Sequence, residues 1–249
     1  MSTPVYPDPE LLPGYRRRIV IEPRRGAVRS ELEDDYHRMV VTLEHDGETI
    51  TGVTSAMPRG PWTTCDGAMA VVRETFLGKR FDDPSVRKAR SLNCTHLYDL
   101  ATFCAGHAGE GERVTYEIFV NDIVGDVIAS RLYRNGERVL DFVRDKGKFV
   151  VPEALAGLKL AQMGDWIDSL PREEAEAARV LRWATMVAGG RSLNMPARMK
   201  AEDLGMRGTC HTFQPGRIDE ARRRPSASKD FSGEDEGPLA DRAEVFGRL

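Results

Sequence analysis

YHRMVVTLE (Tyr36–Glu44), followed by HDG (His45–Gly47) and TITGVTSA (Thr49–Ala56), is the stretch on which the fold turns. Apolar and polar residues alternate on both sides of a His-Asp-Gly turn signal, which is the pattern of two antiparallel strands joined by a tight turn. Pro58 and Pro61 close the second strand. Upstream, RRRIVIE (Arg16–Glu22) alternates weakly into another strand, and residues 1–14, with four prolines and no period, read as an extended arm.

Downstream, two helices each begin at a cysteine. Thr64 is placed to cap a helix from Cys65, with Ala68, Val71, Val72, Thr75 and Phe76 on one face and Gly78 as its stop. Asn93 is placed to cap a helix from Cys94, whose apolar stripe is Leu97, Ala101, Cys104, Ala105 and Ala108. A second β block runs from Arg113 to about Val151 around the hairpin signal Asn135-Gly136. Pro171 opens a further helix carrying Ala177, Val180, Leu181, Ala184 and Val187, which Gly189-Gly190 ends. The expected class is α+β: an antiparallel sheet with a helix pair, a second β-hairpin block and C-terminal helices. Residues 15–215 are expected to form a single domain. Residues 216–249 carry seven basic and eight acidic side chains and few apolar ones, so they read as a polar tail, disordered or draped on a partner.

The 249 residues hold 36 basic and 39 acidic side chains, a net charge of −3. That balance offers no phosphate-binding field, which argues against a nucleic-acid partner. No apolar run approaches the roughly 20 residues of a membrane span, and MSTPVYPDPE has no signal-peptide core, so no membrane partner is expected. Four cysteines without a CxxC pair suit reduced thiols in the cytoplasm. GxGxxG after a strand, the P-loop, HExxH and GxSxG are all missing, so no motif requires a cofactor. Proton-transfer chemistry on a small-molecule substrate needs none of them, and zinc or another divalent metal fits the residue types described next.

Cys65 and Cys94 stand at helix starts, where unpaired N–H groups and the helix dipole favour a thiolate. Each is also small enough to be a packing residue. His96 falls in the first turn of its helix, where a neutral imidazole is favoured, as a ligand, a base or a residue satisfied by backbone. Asp34 to His37 open the long strand, and alternation sends Asp35 and His37 to one face as an acid–base or ligand pair, Asp34 and Tyr36 to the other. Solvated charges at a strand start would look the same. Trp62, Tyr36 and Tyr98 are candidates to line a substrate pocket or to plug the core. His211, in GTCHTFQP (Gly208–Pro215), is placed to fold back over the site or to lie in an ordinary loop. The expected catalytic set is therefore Asp35, His37, Cys65 and His96, with Tyr36, Trp62, Tyr98 and His211 at the substrate. A metal, if held, would take Asp35, Cys65, Cys94 and His96.

PWTTC (Pro61–Cys65), CTHL (Cys94–Leu97) and EDDYH (Glu33–His37) resemble a bacterial family of unknown function recognised by its Cys-Thr-His-Leu motif, over about residues 15–215. More distantly, the order strand, His-Asp-Gly turn, strand, Cys, helix, Gly-Lys, Cys is similar to NifU-like iron–sulfur assembly scaffolds. That resemblance implies metal or cluster ligands at Asp35, Cys65 and Cys94. It departs from the scaffolds at Asn93, which stands where they carry a histidine. Fold likeness does not transmit function. Three readings follow. The first is a lyase using acid–base or metal-assisted elimination or retro-aldol cleavage, for example formaldehyde release, on an aromatic or apolar hydroxylated compound. The second is a metal-binding or iron–sulfur scaffold-like module, and the third a non-catalytic ligand-binding domain; each leaves room for a homo-oligomer.

Overall fold

The computed structural model describes residues 5–109, 111–233 and 236–245. It is α+β. Eight strands run in the order β4-β3-β2-β1-β5-β6-β7-β8 through an antiparallel sheet: β1 (Gly14–Arg24), β2 (Ala27–Asp34), β3 (Arg38–His45), β4 (Ile50–Arg59), β5 (Val114–Asn121), β6 (Val127–Arg134), β7 (Glu137–Asp145) and β8 (Lys148–Val151). The helices are α1 (Ala68–Phe76), α2 (Pro84–Lys88), α3 (Thr95–Gly106), α4 (Gly164–Asp168), α5 (Arg172–Ala188), α6 (Arg217–Glu220) and α7 (Arg242–Val245). Among the described residues no helix is long and apolar enough to cross a membrane.

The expected single domain divides into two compact units. One comprises Met1–Arg18, Thr115–Asn194 and Asp230–Pro238; the other comprises Ile19–Val114, Met195–Lys229 and Leu239–Leu249. In the first, Asn135 and Gly136 both have positive φ, the backbone a two-residue turn between β6 and β7 requires. Helix α5 packs on β6 and β7 through buried Val180, Leu181 and Ala184. The proline-rich arm is tied down by charge, since Arg131 of β6 donates to Asp8 at 2.9 Å and Glu10 at 2.6 Å. Gly14 has to be glycine, because a Cβ there would meet the Val120 carbonyl oxygen at 2.1 Å.

In the second unit, β2, β3 and β4 pair antiparallel, with α3 on β2 and β3, and α1 on β4 and α3. Asp46 holds the His-Asp-Gly turn by accepting from Glu48 N and Thr49 N, and Gly47 supplies a φ of 111°. Strand β4 continues past the expected stop at Pro58. It is the edge strand, and its register slips near that end, so a missing N–H is tolerated.

Strand β2 is buried on both faces. Val28, Ser30 and Leu32 face the helices, and Cys104 of α3 meets Ser30 Oγ at 3.2 Å. Arg29, Glu31 and Glu33 occupy the other face, and residues after Leu239 cover them. Arg242 bonds Glu31 at 2.6 Å and Glu22 at 2.7 Å, Leu239 N donates to Glu33 at 2.7 Å, and Arg38 reaches Asp241 at 2.5 Å. The stretch expected as a polar tail is therefore packed. Ile218, Ala221, Ala227, Phe231 and Leu239 are buried while Val245 is exposed, and Arg242 neutralises a carboxylate, Glu31, that would otherwise lean on Arg29 alone.

Removing Arg242 should leave Glu31 with Arg29 alone at 2.7 Å. We expect Arg242→Ala to lower the urea-derived unfolding free energy by about 2–4 kcal/mol. Arg242 also holds the Glu22 carboxyl below its ordinary value, and Arg38 does the same for Asp241. Depressed carboxylates stabilise the fold above their unfolded-state values and lose that contribution as pH falls through the folded ones. The acid-induced loss of stability below about pH 4.5 should thus be shallower in Arg242→Ala than in the parent.

Candidate functional site

The segment between β2 and β3 is a turn, not a strand start. Asp34 N donates to the His37 carbonyl at 2.9 Å, and Asp34 Oδ1 accepts from Tyr36 N at 2.7 Å and His37 N at 2.8 Å. The same oxygen meets His37 Nδ1 at 3.0 Å. Alternation, which paired Asp35 with His37, does not survive a turn: Asp34 is the partner of His37. Asp35 is buried, and its carbonyl accepts from Arg59 at 2.8 Å and from Lys229 N at 2.7 Å. Arg59 also bonds the Asp34 carbonyl and Glu33 Oε1, each at 2.8 Å, so one guanidinium fastens the whole turn.

His96 is the second residue of α3, and its ring stacks on His37 with centroids 3.7 Å apart at 26°. One ligand atom each from Asp34, His37 and His96 lie within 4.8 Å of one another, and all three residues are buried. One carboxylate and two imidazoles form a donor set suited to a divalent cation. They are equally an oriented base, since a carboxylate on Nδ1 fixes the tautomer and leaves the Nε2 lone pair available.

The two expected thiolates are corrected. Cys65 opens a short 3₁₀ turn (Cys65–Gly67) leading into α1, and Cys94 itself, rather than Asn93, takes the capping position of α3. Asn93 instead donates to Thr75 Oγ1 and the Ala89 carbonyl, both at 2.9 Å, tying the start of α3 to α1. Burial pushes the Cys65 thiol up to about 11, with Thr212 Oγ1 at 3.5 Å from its sulfur as a small counterweight. Burial raises Cys94 further, and neighbouring Cys65 and Cys210 add to it. Desolvation outweighs the helix dipole, and the thiols stay protonated. Neither belongs to the Asp34–His37–His96 group.

The aromatic candidates divide. Tyr36 adjoins the group, its ring edge-on to His37 at 6.3 Å. Trp62 packs edge-on against Phe213 at 5.8 Å, and Tyr98 against Phe76 of α1 at 5.5 Å. His211 is buried over Gly67, where a Cβ would stand 3.0 Å from its Nε2, and burial lowers its basicity. Three contributors escape a reading by strand and helix period: Asp34, Arg59, and Arg223, whose guanidinium lies 6.0 Å from the Tyr36 ring centre. For Asp34 the signal was present, since an Asp three residues before a His between two strand patterns marks a side-chain-capped turn.

Asp34 and Asp35 can be told apart by metal binding. In titrations of Zn(II) followed calorimetrically, Asp34→Asn should weaken binding at least about 10-fold, while Asp35→Asn should leave it nearly unchanged. In Asp34→Asn the amide keeps an acceptor for the two turn N–H groups, so this variant should remain folded. No family model, curated protein or solved structure matches the chain.

Proposed function

We propose that the chain is a small-molecule lyase whose acid–base centre is Asp34, His37 and His96, cleaving a hydroxylated aromatic or apolar compound by elimination or retro-aldol chemistry. The observation that carries this reading is the Asp34–His37 hydrogen bond with the His96 ring stacked 3.7 Å away. A base held in one tautomer beside a second imidazole supplies both proton transfers that such a cleavage needs. His37 Nε2 takes the proton of a substrate hydroxyl, and the adjacent carbon–carbon bond breaks as the carbonyl forms. The electron pair of that bond passes to the neighbouring carbon, which then takes back a proton from an imidazolium. With a terminal hydroxymethyl group the released carbonyl compound is formaldehyde.

The scaffold-like reading draws less support, because among the described residues none of Asp35, Cys65 and Cys94 belongs to the group whose ligand atoms converge.

Screening hydroxylated aromatic compounds for substrate loss and aldehyde release tests the assignment. With an active compound in hand, His96→Gln should lower kcat by about 10²–10⁴-fold at an unchanged melting temperature. Cys65→Ser should keep most of the activity, because a serine hydroxyl has Thr212 as a partner. Full activity in His96→Gln, or its loss in Cys65→Ser alone, would move the chemistry to the thiol.

A further inference from the structure

The run Arg222-Arg223-Arg224 falls in the segment read from sequence as tail, and its three guanidinium groups are treated differently. Arg222 donates to the carbonyls of Asp219 and Ala221 at 2.8 and 3.0 Å, and Arg224 pairs with Asp66 at 2.7 Å. Arg223 is only 7% exposed, yet among the described residues it has no carboxylate partner. Its side chain donates to Ser228 Oγ and lies against Tyr36. The backbone holds it there, since Arg223 N donates to Met199 O and its own carbonyl accepts from Arg198 N, both at 2.9 Å, while Trp62 is its bridge partner. Buried arginines are ordinarily paired with carboxylates, and here the chain offers a hydroxyl and an aromatic ring instead. Burial accordingly pulls its guanidinium below the usual value.

Tyr36 connects this cation to the acid–base group, because its ring contacts both Arg223 and the ring of His37. We propose that Arg223 binds the carboxylate of the substrate, so that the compound turned over at Asp34, His37 and His96 is an organic acid with an aromatic or apolar hydroxylated body. The inference rests on the reading of those three residues as the reacting centre. A guanidinium fork matches a carboxylate in two parallel hydrogen bonds, and Asp34 is already engaged with His37. The substrate therefore supplies the negative charge that the protein withholds, with the Tyr36 ring beside it.

The test uses the full chain with 4-hydroxybenzoate and 4-hydroxycinnamate as probes, against their methyl esters, read by calorimetry. The acids should bind at least about 10-fold more tightly than the esters, and Arg223→Gln should abolish that preference while Arg223→Lys restores part of it. Should Arg223→Gln fail to fold, Ser228→Ala, which only frees the guanidinium, should give a partial loss of the preference. Equal affinity for acids and esters in the parent, no binding of either acid, or tighter binding of inorganic phosphate than of the acids would each overturn the proposal. Zn(II) binding measured in parallel keeps the two readings apart. Zinc affinity retained in Arg223→Gln with acid preference lost supports the role of Arg223, whereas an acid preference that persists with Zn(II) binding indifferent to Asp34→Asn removes only the reacting centre.

Discussion

A carboxylate without exposed surface has to be met by donors, and Asp34 is met by two backbone N–H groups of its own turn and by the Nδ1 of His37. That arrangement reverses the chain between β2 and β3 and aims a histidine at the first turn of α3 in the same stroke. The turn and the site are one object. Arg59 fastens it from the edge strand, so the pairing of β3 with β4 also bears on where His37 points. A site seated on strand ends and a helix start, with its partners buried, is held more rigidly than one carried by an open loop.

The cysteines show how a favourable field loses to a dry environment. Cys65 and Cys94 both stand where helix N–H groups face them, and Cys210 precedes a third helical turn (His211–Phe213). The dipole near a helix start is worth about 0.3–1 kcal/mol, less than the cost of stripping water from a thiolate. Three neighbouring thiols also oppose one another's ionisation. The groups that the fold does bring together are the His37 and His96 rings and the Asp34 carboxylate.

Much of the architecture was legible in the sequence. The β3–β4 hairpin, the Asn135-Gly136 turn and the existence of α1, α3 and α5 follow from period and turn chemistry, with the starts of α1 and α3 displaced from Cys65 and Cys94. Strand β2 was not legible, because AVRSELED (Ala27–Asp34) places Arg29, Glu31 and Glu33 where alternation implies solvent, and only distant arginines make that face buriable. The same long-range pairing hid the packed state of the C-terminal segment, whose composition alone reads as tail. At the site, the fold stacks His37 on His96, and the side chain that meets His37 is Asp34 and not Asp35, because a period-2 rule does not carry across a turn. Arg223 had no local signal at all; its significance is that among the described residues no carboxylate meets it, which only a three-dimensional arrangement reveals.

The cover over β2 also bears on biosynthesis. Glu31 waits for Arg242, 211 residues later, before its charge is neutralised from that side. At a translation rate of about 5–20 residues per second, that interval is on the order of 10–40 s. Throughout it the nascent chain carries a strand whose charged face, Arg29, Glu31 and Glu33, is wet. The charges that complicate the finished core thus guard the unfinished one against joining its neighbours on the same message, a protection that a purely apolar β2 would forgo.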